Sequence, residues 1–268
     1  MNWTDRIAEY CKEYDINIEY LADTLYEPKV VPMIRGKAFE FSVLSALRQT
    51  LPSDKWQVDK PLLNPQLEAH DTDVRVTHLA TEKVIRVECK LAQNAGYRFL
   101  KKGESRVRVK CMRSRTLGVE VIKKLALKWK VSEKLLLAHK DSYRVRDFDV
   151  VVTCLGNAFY RTNKQANRFE WKPSDSEENF LREIGGGDDL KTFAFEWMCA
   201  AKANDLAVLS KNKTNCSRRN CSSKSNCGFI PNYPIVEFES ASKKPSHPWV
   251  HLEDIENLML SFVQKRAG

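Results

Sequence analysis

Two neighbouring stretches of the chain alternate apolar and polar residues, namely Asp73-Val-Arg-Val-Thr-His-Leu79 and Val84-Ile-Arg-Val-Glu-Cys-Lys-Leu91. A period of two is typical of β-strands, in which successive side chains point to opposite faces. Only the short stretch Ala80-Thr-Glu-Lys83 separates the two. The pattern therefore predicts a hairpin of two antiparallel strands.

The position of the hairpin loop determines which residues face one another. If residues 80–83 form the loop, Asp73 lies opposite Lys90, and Arg75 lies opposite Glu88. Directly opposed Cβ atoms are about 5 Å apart and diagonal ones about 7–8 Å apart. We therefore expect Asp73, Glu88 and Lys90 to project from one face of the ribbon, at a spacing that suits a shared divalent ion.

These three residue types together favour chemistry on a phosphodiester. Two carboxylates with a backbone carbonyl and waters form the hard oxygen site that Mg²⁺ prefers, with Mn²⁺ as a substitute, and a substrate phosphate would complete it. Lys90 could orient or deprotonate the attacking water and stabilise the transition state. The alternative is a cross-strand set of salt bridges on a solvated face.

A carboxylate also occurs on the apolar side of a predicted helix over Gly36–Leu51. Val43, Leu44, Leu47 and Leu51 form an apolar stripe at helical spacing, and Glu40 precedes Val43 by one turn. An acid on a buried face needs a reason, so we predict that Glu40 supports the metal ligands or binds a second ion. If the helix is rotated by one residue, Glu40 is instead exposed.

The remaining patterns predict an α/β fold, with a mixed central sheet flanked by helices. Asp149-Val-Val-Val-Thr-Cys-Leu155 is a continuous apolar run, which is typical of a buried central strand. Helices are predicted over residues 119–129, 193–209 and 252–265. We expect one domain over residues 1–268, with a Cys-rich basic loop at about residues 210–230.

Residues 35–155 resemble the PD-(D/E)xK nucleases, of which type II restriction endonucleases are the largest group. The resemblance rests on a helix carrying Glu40, a strand beginning at Asp73, the strand Val84-Ile-Arg-Val-Glu88-Cys-Lys90, a helix, and the strand from Asp149. It implies that Asp73 and Glu88 hold Mg²⁺ and that Lys90 activates water. Thr72 stands where the family usually has proline, which leaves Asp71 as a second candidate for the role of Asp73.

The resemblance also implies an activity, namely sequence-specific cleavage of double-stranded DNA that leaves 5′-phosphates. Cutting two strands with one centre per chain implies a homodimer. Two other functions stay open: a nuclease of repair, recombination or mobile elements that reads DNA structure, and a non-catalytic zinc-containing DNA-binding protein.

Two other sets of residues match the same motif. Asp149 is followed by Glu170-Trp-Lys172, and a third match is Glu27-Pro-Lys29. Proline at position 28 argues against a central strand there. The hairpin of residues 73–91 is favoured over the set at Asp149, because its strand alternation is cleaner and Glu40 precedes it.

The charge of the chain favours a polyanionic partner. Lys and Arg number 44 against 35 acids, a net charge of +9, which favours DNA first and an anionic membrane second. The sequence has no apolar run of about 20 residues and no signal-peptide pattern, so we expect a cytoplasmic prokaryotic protein. The predicted DNA contacts are Arg106, Arg108, Lys110, Arg113, Arg115, Arg218 and Arg219.

Three of the eight cysteines are clustered. Cys216, Cys221 and Cys227 are separated by four and five residues, a density that favours zinc, with an iron–sulfur cluster or an incidental polar loop as alternatives. A fourth ligand could be His247, His251 or Cys199. The five other cysteines are predicted to be reduced packing residues: Cys11, Cys89, Cys111, Cys154 and Cys199.

Overall fold

The structure is a computed structural model that describes residues 2–61, 72–100, 103–212 and 214–264. Asp71 lies outside these residues. The helices are α1 (Trp3–Glu13), α2 (Leu21–Tyr26), α3 (Val31–Thr50), α4 (Val119–Trp129), α5 (Glu133–Ala138), α6 (Asp175–Glu183), α7 (Leu190–Glu196), α8 (Ala203–Leu206) and α9 (Ile255–Val263). The strands are β1 (Trp56–Asp59), β2 (Val74–His78), β3 (Lys83–Cys89), β4 (Ala92–Phe99), β5 (Ser105–Val109), β6 (Val150–Cys154), β7 (Tyr160–Asn163), β8 (Arg168–Trp171), β9 (Met198–Lys202), β10 (Ile235–Phe238) and β11 (Val250–His251).

The central sheet is mixed, and its strand order is β1-β2-β3-β6-β9-β11. β3 and β6 run parallel, whereas the other neighbouring pairs are antiparallel. All five residues of β6 are buried, as expected for a strand with a neighbour on each side and a layer on each face. The predicted α/β class, with a mixed central sheet flanked by helices, is confirmed.

The sheet separates two hydrophobic layers. Helices α3 and α9 cover one face, where the buried side chains include Val43, Leu47, Val87, Ile255 and Met259. The other face packs against a second sheet of order β10-β5-β4 and against α6 and α7. Because Val87 faces the helices, the alternating residues Glu88 and Arg86 face the opposite way.

The hairpin of β2 and β3 is confirmed, but its predicted register is wrong. The loop consists of residues 79–82, so Thr77 pairs with Val84 and Val74 pairs with Val87. The apolar residues Leu79 and Val84 extended the alternating pattern of the sequence. They are 45% and 42% exposed, so they do not belong to the core. A shift by an even number of residues leaves every side chain on its predicted face.

The prediction of one helix over residues 193–209 is wrong. Helix α7 ends at Glu196, and strand β9 follows at once. Cys199, Ala200 and Ala201 of β9 are completely buried between β6 and β11. Small apolar residues carry no strand periodicity when both faces are covered, so the tertiary context decides the conformation. The helix predicted over residues 252–265 begins only at Ile255, after a short 3₁₀ turn.

The second sheet was not predicted. Its strand β5 lies in the basic stretch and reads Ser105-Arg-Val-Arg-Val109, with Val107 and Val109 completely buried. Its alternation was hidden among many charges. All eight cysteines are free and buried, which confirms the packing role predicted for the five that lie outside the cluster.

Several large apolar residues near the N-terminus are exposed. Trp3, Tyr10, Tyr26 and Met33 are 72%, 51%, 83% and 68% exposed. They lie on α1, α2 and the first turn of α3. No helix within the described ranges is both long and apolar enough to cross a lipid bilayer.

Candidate active site and metal centre

Asp73 and Glu88 face each other at the end of the β2–β3 ribbon. Val74 and Val87 form the last pair of this ladder, so the next residues along both strands, Asp73 and Glu88, are opposed. Their side chains are buried, with 8% and 7% exposure. The alternative of salt bridges on a solvated face is therefore wrong about the solvent, although a salt bridge between Lys90 and Glu88 is present.

The surroundings of Asp73 concentrate negative charge. Its Oδ2 accepts a hydrogen bond of 2.8 Å from the backbone N–H of Cys89. Burial, and then the charge of Glu88, raise the pKa of Asp73 to about 8. A carboxyl group in such a position gains stability when a cation arrives, since the cation offsets both effects.

Glu88 is held by two partners at one oxygen. Lys90 Nζ lies 2.6 Å from Glu88 Oε1, and the hydroxyl of Tyr143 donates to the same oxygen over 2.8 Å. Burial and the charge of Glu88 raise the pKa of Tyr143, so its hydroxyl remains a donor. Tyr143 was not singled out in the sequence, because it belongs to a loop before β6 with no motif around it.

Lys90 is protonated in this arrangement. Burial alone would lower the pKa of Lys90, but the interactions with Glu88, Tyr143 and Asp73 together outweigh burial and raise that pKa well above its ordinary value. The ammonium group also lies 5.1 Å from the centre of the Tyr143 ring. A protonated lysine can orient a water molecule and stabilise developing negative charge.

Glu40 is buried on α3, as its place in the apolar stripe predicted. It is 6% exposed, so the alternative of a rotated helix with an exposed Glu40 is wrong. Lys60 contacts one carboxylate oxygen of Glu40, and Lys37 Nζ lies 2.9 Å from the other. Lys60 also donates to the backbone carbonyl of Asp73 over 3.2 Å. Lys60 thus joins Glu40 to the ribbon, a link that depends on β1 pairing with β2.

Asp73 and Glu88 offer two carboxylates of the hard oxygen type that Mg²⁺ prefers, and Lys90 pairs with Glu88. Among the described residues, one group of three or more potential metal ligands has its ligand atoms within 4.8 Å of one another. Asp73, Glu88 and Glu40 do not belong to that group. Glu40 therefore contacts the ribbon indirectly, through Lys60, which also binds the backbone carbonyl of Asp73.

The competing motif at Asp149 is not assembled. Asp149 pairs with Arg86, whose Nε lies 3.1 Å from Asp149 Oδ2. Glu170 belongs to β8 in a separate two-stranded sheet and pairs with Arg168 over 2.9 Å. Lys172 is exposed. Asp149 and Glu170 pair with different arginines, so these two acids do not form a common site.

A second cluster is formed by His139, Cys216, Cys221 and Cys227. All four residues are buried, and their ligand atoms lie within 4.8 Å of one another, so the cluster could hold a metal ion. His139 follows α5, and its Nε2 is 3.6 Å from the sulfur of Cys216. The basic loop predicted at about residues 210–230 thus folds back onto the end of a helix.

His139 corrects the predicted fourth ligand. His247 is not a member of the cluster, the ring of His251 contacts Trp197, and Cys199 is buried in β9. His139 precedes Cys216 by 77 residues, so no spacing in the sequence joins it to the cysteines. The packing of α5 against the loop brings it there.

The electrostatics of this cluster suit a metal ligand. Burial, with a contribution from Arg218, lowers the pKa of His139 to about 4, so the imidazole is neutral and can donate a lone pair. Its ring stacks on Phe229 at 4.2 Å. Burial raises the pKa of Cys227 to about 12, so its thiol stays protonated unless a metal ion replaces the proton.

The predicted DNA contacts differ in how far their side chains are exposed. Arg113 has the least exposed side chain of those described for this set, at 13%, and pairs with Asp147, so little of it is open to a DNA phosphate. Arg218 and Arg106 are partly exposed and pair with Asp141 and Glu237. Arg108 is also partly exposed, and Lys110, Arg115 and Arg219 are exposed.

A cleft of about 420 Å³ lies beside the His/Cys cluster. Met112, His139, Asp141, Arg218 and Tyr233 are among its walls. Asp73 and Glu88 do not line it. The carboxylate site is identified by its chemistry and burial, independently of this cavity.

Comparison with known proteins adds no relative, since no protein-family model, curated protein or solved structure matches this chain.

Proposed function

We propose that the chain is a Mg²⁺-dependent endonuclease that cuts double-stranded DNA at a specific sequence and leaves 5′-phosphates. The observation that carries this proposal is the buried pair of opposed carboxylates, Asp73 and Glu88, with Lys90 bonded to Glu88. The resemblance of this arrangement to the PD-(D/E)xK nucleases supports the choice of reaction.

Each residue of the site has a distinct part in this proposal. Asp73 and Glu88 would hold Mg²⁺, which when bound supplies charge neutralisation at the scissile phosphate and eases deprotonation of water. Lys90 orients the attacking water and offsets the charge that develops on the phosphate oxygens. Tyr143 holds Glu88 Oε1, and Lys60 connects Glu40 to the backbone of Asp73.

Contact with DNA would rely on the exposed cations and on the net charge of +9. Three of the predicted contacts are exposed and could neutralise phosphates, namely Lys110, Arg115 and Arg219. Because such contacts release counterions, DNA binding should weaken steeply as the salt concentration rises. Partly exposed Arg108, on a strand of the second sheet, could read a base edge.

Cleavage of both strands would require two copies of the chain. The exposed residues Trp3, Tyr10, Tyr26 and Met33 are of the kinds that subunit contacts cover. We propose that two chains associate through the helices that carry them, with each copy supplying one centre. Light scattering of the purified protein should give twice the mass of one chain.

The test of the proposed function is a digest of plasmid DNA. Purified protein should produce discrete fragments with Mg²⁺ and leave the plasmid intact with EDTA. Glu88→Ala should abolish cleavage, whereas Glu170→Ala, the matched acid of the unassembled motif, should cut as the natural chain does. Fragments that persist in Glu88→Ala would refute the assignment of the site.

Two other functions predict different results in the same assay. A repair or recombination nuclease would cut only at junctions or mismatches and give no fixed bands on an intact plasmid. The His/Cys cluster favours a second candidate, a zinc-containing DNA-binding protein without activity. Salt-sensitive DNA binding without cleavage under any metal would support that candidate.

A further inference from the structure

The His/Cys cluster and the candidate active site are joined by five consecutive residues. His139 belongs to the cluster, and Tyr143 donates its hydroxyl hydrogen bond to Glu88. The residues between them belong to a turn that follows α5, in which Ser142 N–H donates to His139 C=O over 2.9 Å. A contact that fixes His139 therefore also restrains Tyr143.

The loop that carries the cysteines also contacts the middle of the segment. Arg218 lies two residues after Cys216, and its guanidinium is 2.5 Å from Asp141 Oδ1. Its backbone N–H donates to the Cys216 sulfur over 3.4 Å. Asn232 donates to Asp141 Oδ2 over 2.8 Å and accepts from the Ser142 hydroxyl over 2.7 Å.

The chain that leaves the last cysteine of the cluster secures Tyr143 itself. Ile230, three residues after Cys227, donates its N–H to the Tyr143 carbonyl over 2.8 Å. Arg113 approaches from the other side, with its Nε donating to the Ser142 carbonyl over 3.1 Å and its guanidinium 5.0 Å from the centre of the Tyr143 ring. The backbone of the segment is thus clamped on both sides.

The geometry of the four ligands suits a single ion. Zinc bound by sulfur at about 2.3 Å in a tetrahedron places neighbouring ligand atoms about 3.8 Å apart. The four ligand atoms all lie within 4.8 Å of one another, so a contraction of about 1 Å would let one ion bind all four. An iron–sulfur cluster would hold the sulfurs farther apart, because iron and sulfide atoms lie between them.

We infer that His139, Cys216, Cys221 and Cys227 bind one structural zinc ion, which positions the Tyr143 hydroxyl on Glu88 through the segment 139–143. Tyr143 and Lys90 both contact Oε1 of Glu88, so Oε2 is the oxygen that we expect a cation to bind. Tyr143 is therefore a positioning residue. Only the role of the oriented Glu88 as a Mg²⁺ ligand rests on the proposed function.

The first experiment measures metal content in the full chain. Elemental analysis should find one zinc ion per chain, and His139→Ala should lower the zinc content at least fivefold. Cys11→Ser, which alters a buried thiol outside the cluster, should retain zinc. Iron in place of zinc, or a full zinc content in His139→Ala, would overturn the inference.

The second experiment measures the coupling by hydrogen exchange and by Mn²⁺ affinity. Removal of zinc with 1,10-phenanthroline should speed exchange of the Ser142 and Arg144 amides at least tenfold and weaken Mn²⁺ binding about tenfold. Tyr143→Phe should weaken Mn²⁺ binding to a similar extent while keeping its zinc, and zinc removal should then have little further effect on Mn²⁺ affinity. Equal Mn²⁺ affinity with and without zinc would overturn the inference.

A second variant keeps the inference testable if the chain unfolds without zinc. Arg218→Gln leaves all four ligands in place but breaks the ion pair with Asp141. It should keep zinc and still speed exchange of the Ser142 and Arg144 amides, whereas the exposed neighbour variant Arg219→Gln should not. Unchanged exchange in Arg218→Gln would overturn the coupling. If amide exchange depends on zinc in a chain that binds no Mn²⁺, the coupling between the cluster and Tyr143 is supported. Only the proposed nuclease function is then contradicted.

Discussion

The carboxylate site and the His/Cys cluster differ in what holds their side chains together. Asp73, Glu88 and Lys90 lie just beyond the last pair of one hairpin, Val74 with Val87, so the paired strands hold them near one another before any ion binds. Cys216, Cys221 and Cys227 lie in a loop that has little regular secondary structure, and their fourth partner comes from the end of α5. A site on paired strands has its shape from hydrogen bonds, whereas a loop needs the ion to acquire one.

The two sites also differ in the charge that they hold without metal. Burial and the charge of Glu88 raise the pKa of Asp73 to about 8, so a bound cation would offset the cost of ionising that carboxyl group. The buried thiol of Cys227 avoids that cost by staying protonated. A metal ion would displace its proton and then leave only slowly, because soft sulfur ligands bind zinc tightly.

The largest expected effect separates the assembled motif from the unassembled one. Lys90→Ala should lower the cleavage rate about 10³-fold, since it removes the only cation bonded directly to Glu88 among the described contacts. Lys172→Ala, at an exposed position of the competing motif, should leave the rate unchanged. Rates from a plasmid assay with Mg²⁺ decide between them, and a loss confined to Lys172→Ala would reverse the assignment.

The next effect concerns the stability that the His/Cys cluster supplies. His139→Ala should cost roughly 3–5 kcal/mol of unfolding free energy, because loss of a structural ion is among the most damaging single changes. His247→Ala, outside the cluster, should stay within about 0.5 kcal/mol of the natural chain. Denaturant unfolding of both variants measures this, and equal stabilities would contradict the choice of His139.

A pH dependence distinguishes the carboxylate site from the cluster. The folded pKa of Asp73 is about 8 against an ordinary value of 3.8, so the folded chain binds the proton more tightly. Without Mg²⁺, stability should therefore fall as pH rises from about 4 to about 8. Asp73→Asn should weaken this fall, and saturating Mg²⁺ should offset it in the natural chain. Melting temperatures across that range, unchanged between the natural chain and Asp73→Asn, would contradict the burial of charge at this site.

The smallest effect is expected at Glu40, which supports the ribbon from α3. Glu40→Gln keeps the shape of the side chain but removes the charge that pairs with Lys60. Mn²⁺ affinity should fall about tenfold, as is typical when a group behind the ligands is changed. Calorimetric titration measures this, with Glu256→Gln as a control on α9. A loss as large as that of Glu88→Gln would instead make Glu40 a direct ligand.

Local pattern was enough for the hairpin and for the central strand β6. Alternation in residues 73–79 and 84–91 placed Asp73, Glu88 and Lys90 on one face, and a register error of two residues could not move them off it. The apolar stripe of α3 predicted the burial of Glu40. These features depend on neighbours within one element or one hairpin, so the sequence by itself determined them.

Tertiary structure alone decided the partners that meet across long separations. His139 joins the cysteines 77 residues away, Tyr143 reaches Glu88, and Lys60 bridges Glu40 to Asp73. The strand β9 was hidden for the same reason, since its small apolar residues become a strand only between β6 and β11. Contacts between distant segments form because layers of the fold pack together, and packing leaves no periodic mark on the residues that it joins.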